Sequence, residues 1–414
     1  MEIVLLADRY KVHHFKGLEA HFAGRFLYEP SYDFDKVMSH RPELVICFDE
    51  HWGELGSVIG SVREANVATL QVMDGILEWR RTWDYEWEGH RIDGVINPIN
   101  QPVLAHKIAC LGRRDTRLME SWGNLGKCEV VGAPRMDGLA DKRLSGGISP
   151  RLSPGRKPRL LVMTAKTYGF TEAQRVITRR SLTDLKACFE GRPDIDVIWR
   201  VTRGLDEELG VKNTLSDLAG GEFHTLLDQV DGVITTPSTS MLEAMVMDRP
   251  VALLDYHNCP HYFESVWSIY CADHIPQVIG ELLNPPKPKY DYQNFLLAEQ
   301  LAFQPTATGR LIRLIEEMLK VRKAAGGGPL EFPARILGDE KLFFTPTLPL
   351  SRLKEYYPHL PLPDDLNIRE LQTRLTAALG AVVLQREKVA FLEKRLKWIP
   401  GYRLAQKVRG WLRK

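Results

Sequence analysis

The segment that most constrains the fold runs from Asp231 to Tyr262 and has the pattern strand, loop, helix, strand. The β-favouring run 232–235 leads into the hydroxyl-rich loop Thr-Pro-Ser-Thr-Ser. A helical pattern over Met241–Met247 and a second apolar run over Val251–Leu254 follow. A strand, a helix and a second strand in this order form the unit from which parallel sheets are built. The sequence therefore predicts an α/β protein with a parallel sheet.

The loop of this unit has the composition of a phosphate-binding turn. Ser238, Thr239 and Ser240 lie where the predicted helix begins, and free backbone N–H groups and the positive end of the helix dipole converge there. The same hydroxyls are also typical helix caps, and that alternative stays open. Glu243 lies one turn into the helix, where a carboxylate can reach a ribose hydroxyl. We therefore predict that these four residues bind a nucleotide donor.

The chain of 414 residues is longer than one hydrophobic core supports, which indicates more than one domain. In its first part, apolar runs alternate with helical patterns, and this predicts a doubly wound parallel sheet. The apolar runs are 3–7, 44–48, 68–72, 94–96 and 129–131, with helical patterns at 52–65 and 101–111. Residues 142–158 are rich in proline, glycine, serine and basic residues, as linkers are. The predicted domains are 1–145 and 156–335, followed by a tail over 336–414.

The overall composition excludes several classes of protein. A formal net charge of +2 gives no reason to expect a nucleic-acid partner. The six cysteines contain no Cys-x-x-Cys pair, which indicates reduced, buried thiols of a cytoplasmic protein. The first residues resemble a strand more than a signal peptide, and no run approaches the roughly 20 apolar residues that span a bilayer.

Candidate catalytic groups follow the strands of the first domain, because functional side chains of doubly wound sheets lie at the carboxyl ends of strands. Asp74, just before Gly75, is a candidate general base or nucleophile, and its alternative role is that of a turn residue. Glu78 is a second candidate base. The aromatic residues within 79–87 suit either sugar stacking or packing on the neighbouring domain. Further polar sets end other strands, at 8–10, 49–52 and 97–98.

The second domain offers its own strand-end candidates. Lys166 follows the first strand and can offset phosphate charge, although a solvated surface lysine is the alternative. Arg200 ends the next strand. His257 follows a later strand, near Asp255, and either contacts sugar or acceptor or has a structural role. The pair His257 and His261 lacks a well-placed third ligand, so no metal site is predicted.

Three motifs resemble a known group of enzymes. The first resembles the donor-nucleotide motif of GT-B glycosyltransferases and consists of Ser238–Ser240, Glu243-Ala244 and Asp248–Val251. The second, residues 130–137, resembles the end of the first domain of these enzymes, Val-x-Gly-x-Pro-Arg-x-Asp. Residues 69–75 resemble the Gln-x-x-His-Gly turn of bacterial polyol-phosphate and surface-carbohydrate transferases. Here Asp74 replaces the histidine.

This resemblance implies two Rossmann-like domains that face each other across a cleft, with the acceptor on the first and a nucleotide sugar on the second. It implies a metal-independent glycosyltransferase of surface polysaccharide biosynthesis (capsule, O-antigen or lipopolysaccharide) with no cofactor beyond a CMP-, UDP- or GDP-linked donor. The group includes retaining β-Kdo transferases, which use CMP-Kdo, and for these Asp74 or Glu78 is the candidate nucleophile. The alternatives are a non-hydrolysing nucleotide-sugar epimerase and a non-catalytic assembly protein on a decayed transferase fold.

The tail predicts two further interactions. Residues 366–398 carry apolar side chains at alternating spacings of four and three, which predicts a long helix that forms a coiled coil, and so a homo-oligomer, or packs across both domains. Residues 394–414 contain eight basic and no acidic residues among tryptophans and aliphatic residues. Such a segment suits the inner face of the cytoplasmic membrane, where a lipid-linked glycan acceptor would lie; a frayed tail is the alternative.

Overall fold

We describe the protein from a computed structural model, which describes residues 2–7, 12–48, 55–84, 91–92, 95–96, 99–151, 155–214, 221–257, 259–304, 306–338, 385–386 and 388–392. The chain forms two compact units, Met1–Phe344 and Thr345–Lys414. The first unit contains both of the sheets described below. Of the tail, only the short helical stretches 385–386 and 388–392 are described. They fall within the predicted helix 366–398, whose other residues lie outside the described residues, as does the basic segment 394–414.

The first half of the chain forms a six-stranded sheet in which every pair of neighbouring strands is parallel, as predicted. Its strand order is β2-β1-β3-β4-β7-β8, and β5 and β6 form a separate antiparallel pair. The strands are β1 (Glu2–Leu5), β2 (Phe26–Tyr28), β3 (Pro42–Cys47), β4 (Ala68–Val72), β5 (Arg91–Ile92), β6 (Val95–Ile96), β7 (Lys107–Cys110) and β8 (Cys128–Val130). The helices are α1 (Val12–His21), α2 (Phe34–Ser39), α3 (Leu55–Glu64), α4 (Arg113–Met119) and α5 (Asp137–Leu144).

Two predicted elements of this half are wrong. Residues 94–96 were expected to form a strand of the large sheet, but among the described residues β6 pairs with β5 in a separate antiparallel ladder. The expected helix 101–111 is instead a turn followed by β7, which lies between β4 and β8. A lysine such as Lys107, at the start of β7, is rarely buried in a central strand unless it is paired. Here it is fully buried and its Nζ lies 2.6 Å from an oxygen of Glu129.

The second half forms a five-stranded sheet, again with every neighbouring pair parallel, in the order β10-β9-β11-β12-β13. The strands are β9 (Arg159–Met163), β10 (Asp196–Arg200), β11 (Gly232–Thr235), β12 (Val251–Leu254) and β13 (Trp267–Ile269). The helices are α6 (Glu172–Glu190), α7 (Leu205–Leu209), α8 (Gly221–Asp228), α9 (Ser240–Val246), α10 (Ile275–Leu283), α11 (Lys287–Gln300) and α12 (Ala307–Ala324). The β11-loop-α9-β12 unit, from which the sequence analysis started, lies in the middle of this sheet.

Both faces of the central strands are buried, as the continuous apolar runs of parallel sheets require, whereas the edge strands β2 and β10 are only partly buried. Successive side chains of a strand point to opposite faces, so Leu44 and Ile46 of β3 belong to one core and Val45 and Cys47 to another. The second of these cores continues into the other sheet, where it includes Met163 and neighbouring residues. One hydrophobic core therefore extends from the first sheet to the second.

The end of the described chain returns to the first sheet. Helix α12 lies within the segment assigned to the second domain, yet its apolar stripe packs in the core of β1 and β3. Between α11 and α12 the chain crosses the strand ends of the first sheet at Gly132, which has a φ of +95°. A Cβ at Gly132 would lie 2.0 Å from the Ala302 carbonyl oxygen. Asp137 then accepts hydrogen bonds from the Ala307 and Thr308 N–H groups at the start of α12. The motif 130–137 thus fixes the point at which the chain crosses back.

The six cysteines all lie in the described residues, and none forms a disulfide. Cys47, Cys110 and Cys128 are buried as predicted, whereas Cys188 and Cys259 are only half-buried and Cys271 is exposed. The helices of the described residues include none with the length and apolar character that crossing a membrane requires.

Candidate functional site

A cleft of about 370 Å³ opens between the carboxyl ends of the strands of the two sheets. Three loops line it: the turn after β4, the loop after β9 and the loop after β11. The lining residues are Ile76, Glu78, Arg81, Ala165, Lys166, Thr167, Phe170, Pro237, Ser238 and Thr239. The cleft therefore brings together two cations, Lys166 and Arg81, several hydroxyls and the carboxylate of Glu78. The cations and hydroxyls suit an anionic ligand, and the carboxylate suits a group beside that ligand that must lose a proton.

The turn after β4 contacts the beginning of α9 directly. The Ile76 N–H donates to the Thr239 hydroxyl at 3.1 Å. At Gly75 a Cβ would lie 2.4 Å from the same hydroxyl oxygen, so only glycine fits at this distance. Asp74 precedes this glycine and is half-buried, outside the lining of the cleft. The predicted base or nucleophile therefore lies beside the cleft, in a turn fixed by the second sheet.

The hydroxyls of the loop after β11 have several partners. The Thr236 hydroxyl accepts from the Ala165 N–H at 2.9 Å, which joins this loop to the one that carries Lys166. The hydroxyls of Ser238 and Ser240 lie 2.8 Å apart. Thr239, the N-cap residue of α9, makes no capping bond with its side chain. Because α9 has only seven residues, the side chains of the cleft, and not the helix dipole, are the groups that could hold an anion here.

Glu78 is a buried carboxylate in the cleft wall. Its side chain is 14% exposed and forms an ion pair with Arg80, whose side chain is 6% exposed. Burial raises the pKa of Glu78 above its usual value, and the positive charge of Arg80 only partly opposes this. A glutamate with a raised pKa is suited to exchange a proton near neutral pH.

A second carboxylate lies next to this ion pair, after β12. Asp255 accepts from the His257 N–H at 3.0 Å, and its other oxygen lies 2.8 Å from His261 Nε2. Burial alone would raise the pKa of Asp255, but the hydrogen bond from His261 and the charge of Arg80 lower it. Burial and Arg80 also lower the pKa of His257 to about 4. His257 is therefore neutral at physiological pH, and its Nε2 lies 3.0 Å from the Thr178 hydroxyl.

The aromatic residues after Glu78 pack on the segment that follows β12. The Trp79 ring centroid lies 5.6 Å from that of Tyr262, and Trp83 Nε1 donates to the Tyr262 hydroxyl at 2.7 Å. Trp122 meets the same tyrosine edge to face at 5.1 Å. For Trp79 and Trp83, the packing alternative of the sequence analysis is thus what the structure shows. Residues 85–87 lie outside the described residues, as do 8–10, 49–52 and 97–98.

Glu243 does not point into the open cleft. It is 4% exposed, and its oxygens pair with Arg135 and, at 2.9 Å, with His224 Nε2. Burial would raise the pKa of Glu243, but the charges of both partners lower it. Arg200 lies near this group, with its guanidinium 4.5 Å from the Phe223 ring centroid, and burial lowers its pKa.

The structure thus separates the predicted residues into two groups. Glu78, Lys166, Ser238 and Thr239 line one cleft, with Ser240 bonded to its edge. Glu243 and Arg200 belong to a neighbouring buried cluster. Sequence reasoning missed the site neighbours Arg80, Arg81, Arg135, His224 and Tyr262. Arg135 had a signal in the motif 130–137, as did Arg80 and Arg81 in the segment 79–87 and Tyr262 at the end of 231–262, whereas His224 had none.

Neither the protein-family models nor the sequences of curated proteins match this chain. Among solved structures, it is similar to the wall teichoic acid polymerase TagF in crystals soaked with CDPG, at a TM-score of 0.51 and 13% identity over 77% of this chain and 88% of TagF. It is also similar to MnaA of S. aureus in a co-structure with UDP, at a TM-score of 0.51 and 12% identity over 77% of this chain and 97% of MnaA. A UDP-N-acetylglucosamine 2-epimerase gives a TM-score of 0.47 at 11% identity, over 80% and 98% of the two chains. The two-sheet arrangement is that of GT-B proteins, which confirms the predicted fold class.

Proposed function

We propose that the protein is a GT-B glycosyltransferase that moves a sugar from a nucleotide-activated donor to a hydroxyl of a glycan acceptor. The observation that carries this proposal is the cleft in which Glu78, from the first sheet, faces Lys166 and the hydroxyls of Ser238 and Thr239, from the second. The second-sheet side suits a phosphate, because a lysine and hydroxyls supply charge and hydrogen bonds. The first-sheet side supplies the base.

In this proposal Glu78 takes the proton of the acceptor hydroxyl while that oxygen attacks the anomeric carbon and the nucleotide phosphate leaves. Lys166 and Arg81 stabilise the negative charge that develops on the departing phosphate. His257 is neutral and holds the loop after β12, and Asp74 remains a second candidate base or nucleophile. Glu243, with Arg135 and Arg200, would contact the ribose if nucleotide binding displaces one of its present partners.

The donor and acceptor follow from the sequence motifs. The resemblance to capsule and O-antigen transferases supports a surface or lipopolysaccharide glycan and makes CMP-Kdo the first donor to test. The basic tail over 394–414 supports a lipid-linked acceptor at the inner face of the cytoplasmic membrane. Glu78 is the one carboxylate among the described residues that line the cleft, so we expect transfer without added Mg²⁺.

A nucleotide panel followed by a turnover assay tests the proposal. The nucleotide that matches the donor (CMP, UDP or GDP) should raise the melting temperature. At 100 times its Kd it stabilises the folded protein by about 2.7 kcal/mol. The matching nucleotide sugar should then be consumed only when an acceptor glycan is present. Conversion of a UDP-sugar to its epimer without acceptor would instead establish the epimerase alternative. Binding of no nucleotide would favour the non-catalytic alternative.

A further inference from the structure

We infer that Asp255, Cys259 and His261 form a zinc site in the loop that follows β12. One ligand atom of each residue (a carboxylate oxygen, the thiol sulfur and a ring nitrogen) lies within 4.8 Å of the other two. Three protein ligands of these types leave a fourth tetrahedral position for a water molecule. No metal site was predicted from the sequence, because the pair His257 and His261 lacks a well-placed third ligand; in the structure Asp255 and Cys259 join His261 instead.

The distances fit a tetrahedral ion after a small adjustment. Zinc holds oxygen and nitrogen at about 2.0–2.2 Å and sulfur at about 2.3 Å, so its ligand atoms lie roughly 3.3–3.8 Å apart. Asp255 Oδ2 and His261 Nε2 are 2.8 Å apart, so they need to separate by about 0.5 Å. Their present hydrogen bond would be exchanged for two bonds to the metal.

The surroundings already orient the ligands. Asp255 is 2% exposed, and its other oxygen accepts from the His257 N–H, which leaves Oδ2 for the ion. The His261 ring stacks on Phe263 and Tyr270, at centroid distances of 5.3 and 6.3 Å. Such contacts around the ligands fix their geometry in metal sites. Cys259 and His261 are only half-buried, so an ion can reach them from solvent.

Charge and ligand type select the metal. A thiolate, a carboxylate and a neutral imidazole balance the two charges of Zn²⁺, and Arg80, a cation that acts on Asp255, is already paired with Glu78. A sulfur ligand disfavours Mg²⁺ and Ca²⁺, which prefer oxygen. The ion would tie the loop together one residue before Tyr262, on which Trp79 and Trp83 pack. Zinc binding at this site does not depend on the proposed transfer reaction.

The test uses the full chain, stripped with a chelator and dialysed against Zn²⁺ alone, with metal content measured by mass spectrometry. Wild type should retain about one zinc per chain, and Co²⁺ should give a near-ultraviolet thiolate charge-transfer band. Cys259→Ser should bind zinc at least about 10-fold more weakly and lose the band. The matched control is Cys271→Ser, which removes an exposed cysteine two residues after β13 and should behave as wild type.

Thiol protection provides a measurement that needs no variant. Zn²⁺ should slow alkylation of Cys259 by N-ethylmaleimide, followed by peptide mass spectrometry, and leave the rate at Cys271 unchanged. The inference is overturned if wild type retains no zinc, if Cys259→Ser retains as much as wild type, or if alkylation of Cys259 is insensitive to Zn²⁺.

Discussion

At the scale of the residue, the burial of Glu78 determines its proposed chemistry. A carboxylate in water is ionised well below neutral pH and is a weak base, whereas burial raises the pKa of Glu78 and makes it a stronger one. We predict that Glu78→Gln lowers kcat by about 100- to 10,000-fold, the usual contribution of a general base. Nucleotide affinity should be unchanged, because the amide keeps the size of the side chain. Steady-state kinetics and nucleotide titration measure the two effects.

The matched control is Glu64→Gln, which removes an exposed carboxylate at the end of α3, in the same half of the chain, and should be inert. The pH profile adds a second criterion. A base must be ionised, so kcat of the wild type should rise with pH through the raised pKa of Glu78, at a pH above the usual glutamate range. Full turnover by Glu78→Gln would assign the base to another group, of which Asp74 is the first.

His106 makes a prediction about stability. Burial and the charges of Arg63 and Lys127 lower its pKa from 6.5 to about 4. At a pH between these two values, His106 is protonated in the unfolded chain but not in the folded chain. The free energy of unfolding therefore decreases as pH falls from 6.5 towards 4. His106→Asn should flatten this loss, since an amide oxygen can accept the bond that the Thr69 N–H now donates to Nδ1.

Urea unfolding at pH 8, 6.5 and 5 measures the effect. At pH 8 the histidine is neutral in both states, so the comparison there reports only packing and serves as the reference. Equal slopes of stability against pH for the variant and the wild type would show that another group is responsible. His257 is the first such group, because its pKa is also lowered to about 4.

The positions of single cleft residues could be predicted where the local sequence pattern of strands and helices determines them. Glu78, Lys166, Ser238 and Thr239 follow strands of parallel sheets, and that position alone brought them to one edge. Glu243 shows the limit of this reasoning. Its partner Arg135 lies 108 residues away in the sequence, and no local pattern reveals that the two side chains meet.

At the scale of the element, the contact between the β4 turn and α9 requires a glycine. We predict that Gly75→Ala destabilises the protein by about 1–3 kcal/mol, because the new methyl group would lie 2.4 Å from the Thr239 hydroxyl oxygen. That hydroxyl is held by the Ile76 N–H and cannot turn away without losing the bond. Donor affinity should fall as well, since Thr239 lines the cleft.

A double-mutant cycle isolates this contact. Thr239→Ala removes the clashing oxygen and should itself cost about 1 kcal/mol for the lost hydrogen bond. The double variant should therefore be less destabilised than the sum of the single variants, as urea unfolding can show. Additive effects would mean that the turn relaxes away from α9.

Elements were predictable where a regular pattern matched a regular structure. The β11-loop-α9-β12 unit was found from its apolar runs to within one residue at each end of the helix. β7 was missed because its buried Lys107 is neutralised by Glu129, a residue of the adjacent strand β8. Such pairing between strands is determined by tertiary structure, so the sequence of β7 alone did not reveal a strand.

At the scale of the whole molecule, the two sheets share one hydrophobic core and one crossing connection. The predicted division into domains followed the sheets, whereas α12 packs on the sheet of the other half. We attribute this difference to the position of α12 in the sequence, after the strands of the second sheet. Its amphipathic pattern shows that one face of the helix is buried, but it does not show which sheet that face packs against.

The basic tail supports a prediction for the intact chain. The basic residues of its last segment are Lys394, Arg395, Lys397, Arg403, Lys407, Arg409, Arg413 and Lys414. Each contributes about 1 kcal/mol at an anionic surface, and salt screens this attraction. A chain that ends at Glu393 should therefore bind vesicles containing phosphatidylglycerol at least about 10-fold more weakly than the full chain, while both bind neutral vesicles poorly. Co-sedimentation at low and high salt measures this, and an unchanged melting temperature would show that the truncated chain is folded. Equal binding of both chains to anionic vesicles would place the membrane contact elsewhere in the protein.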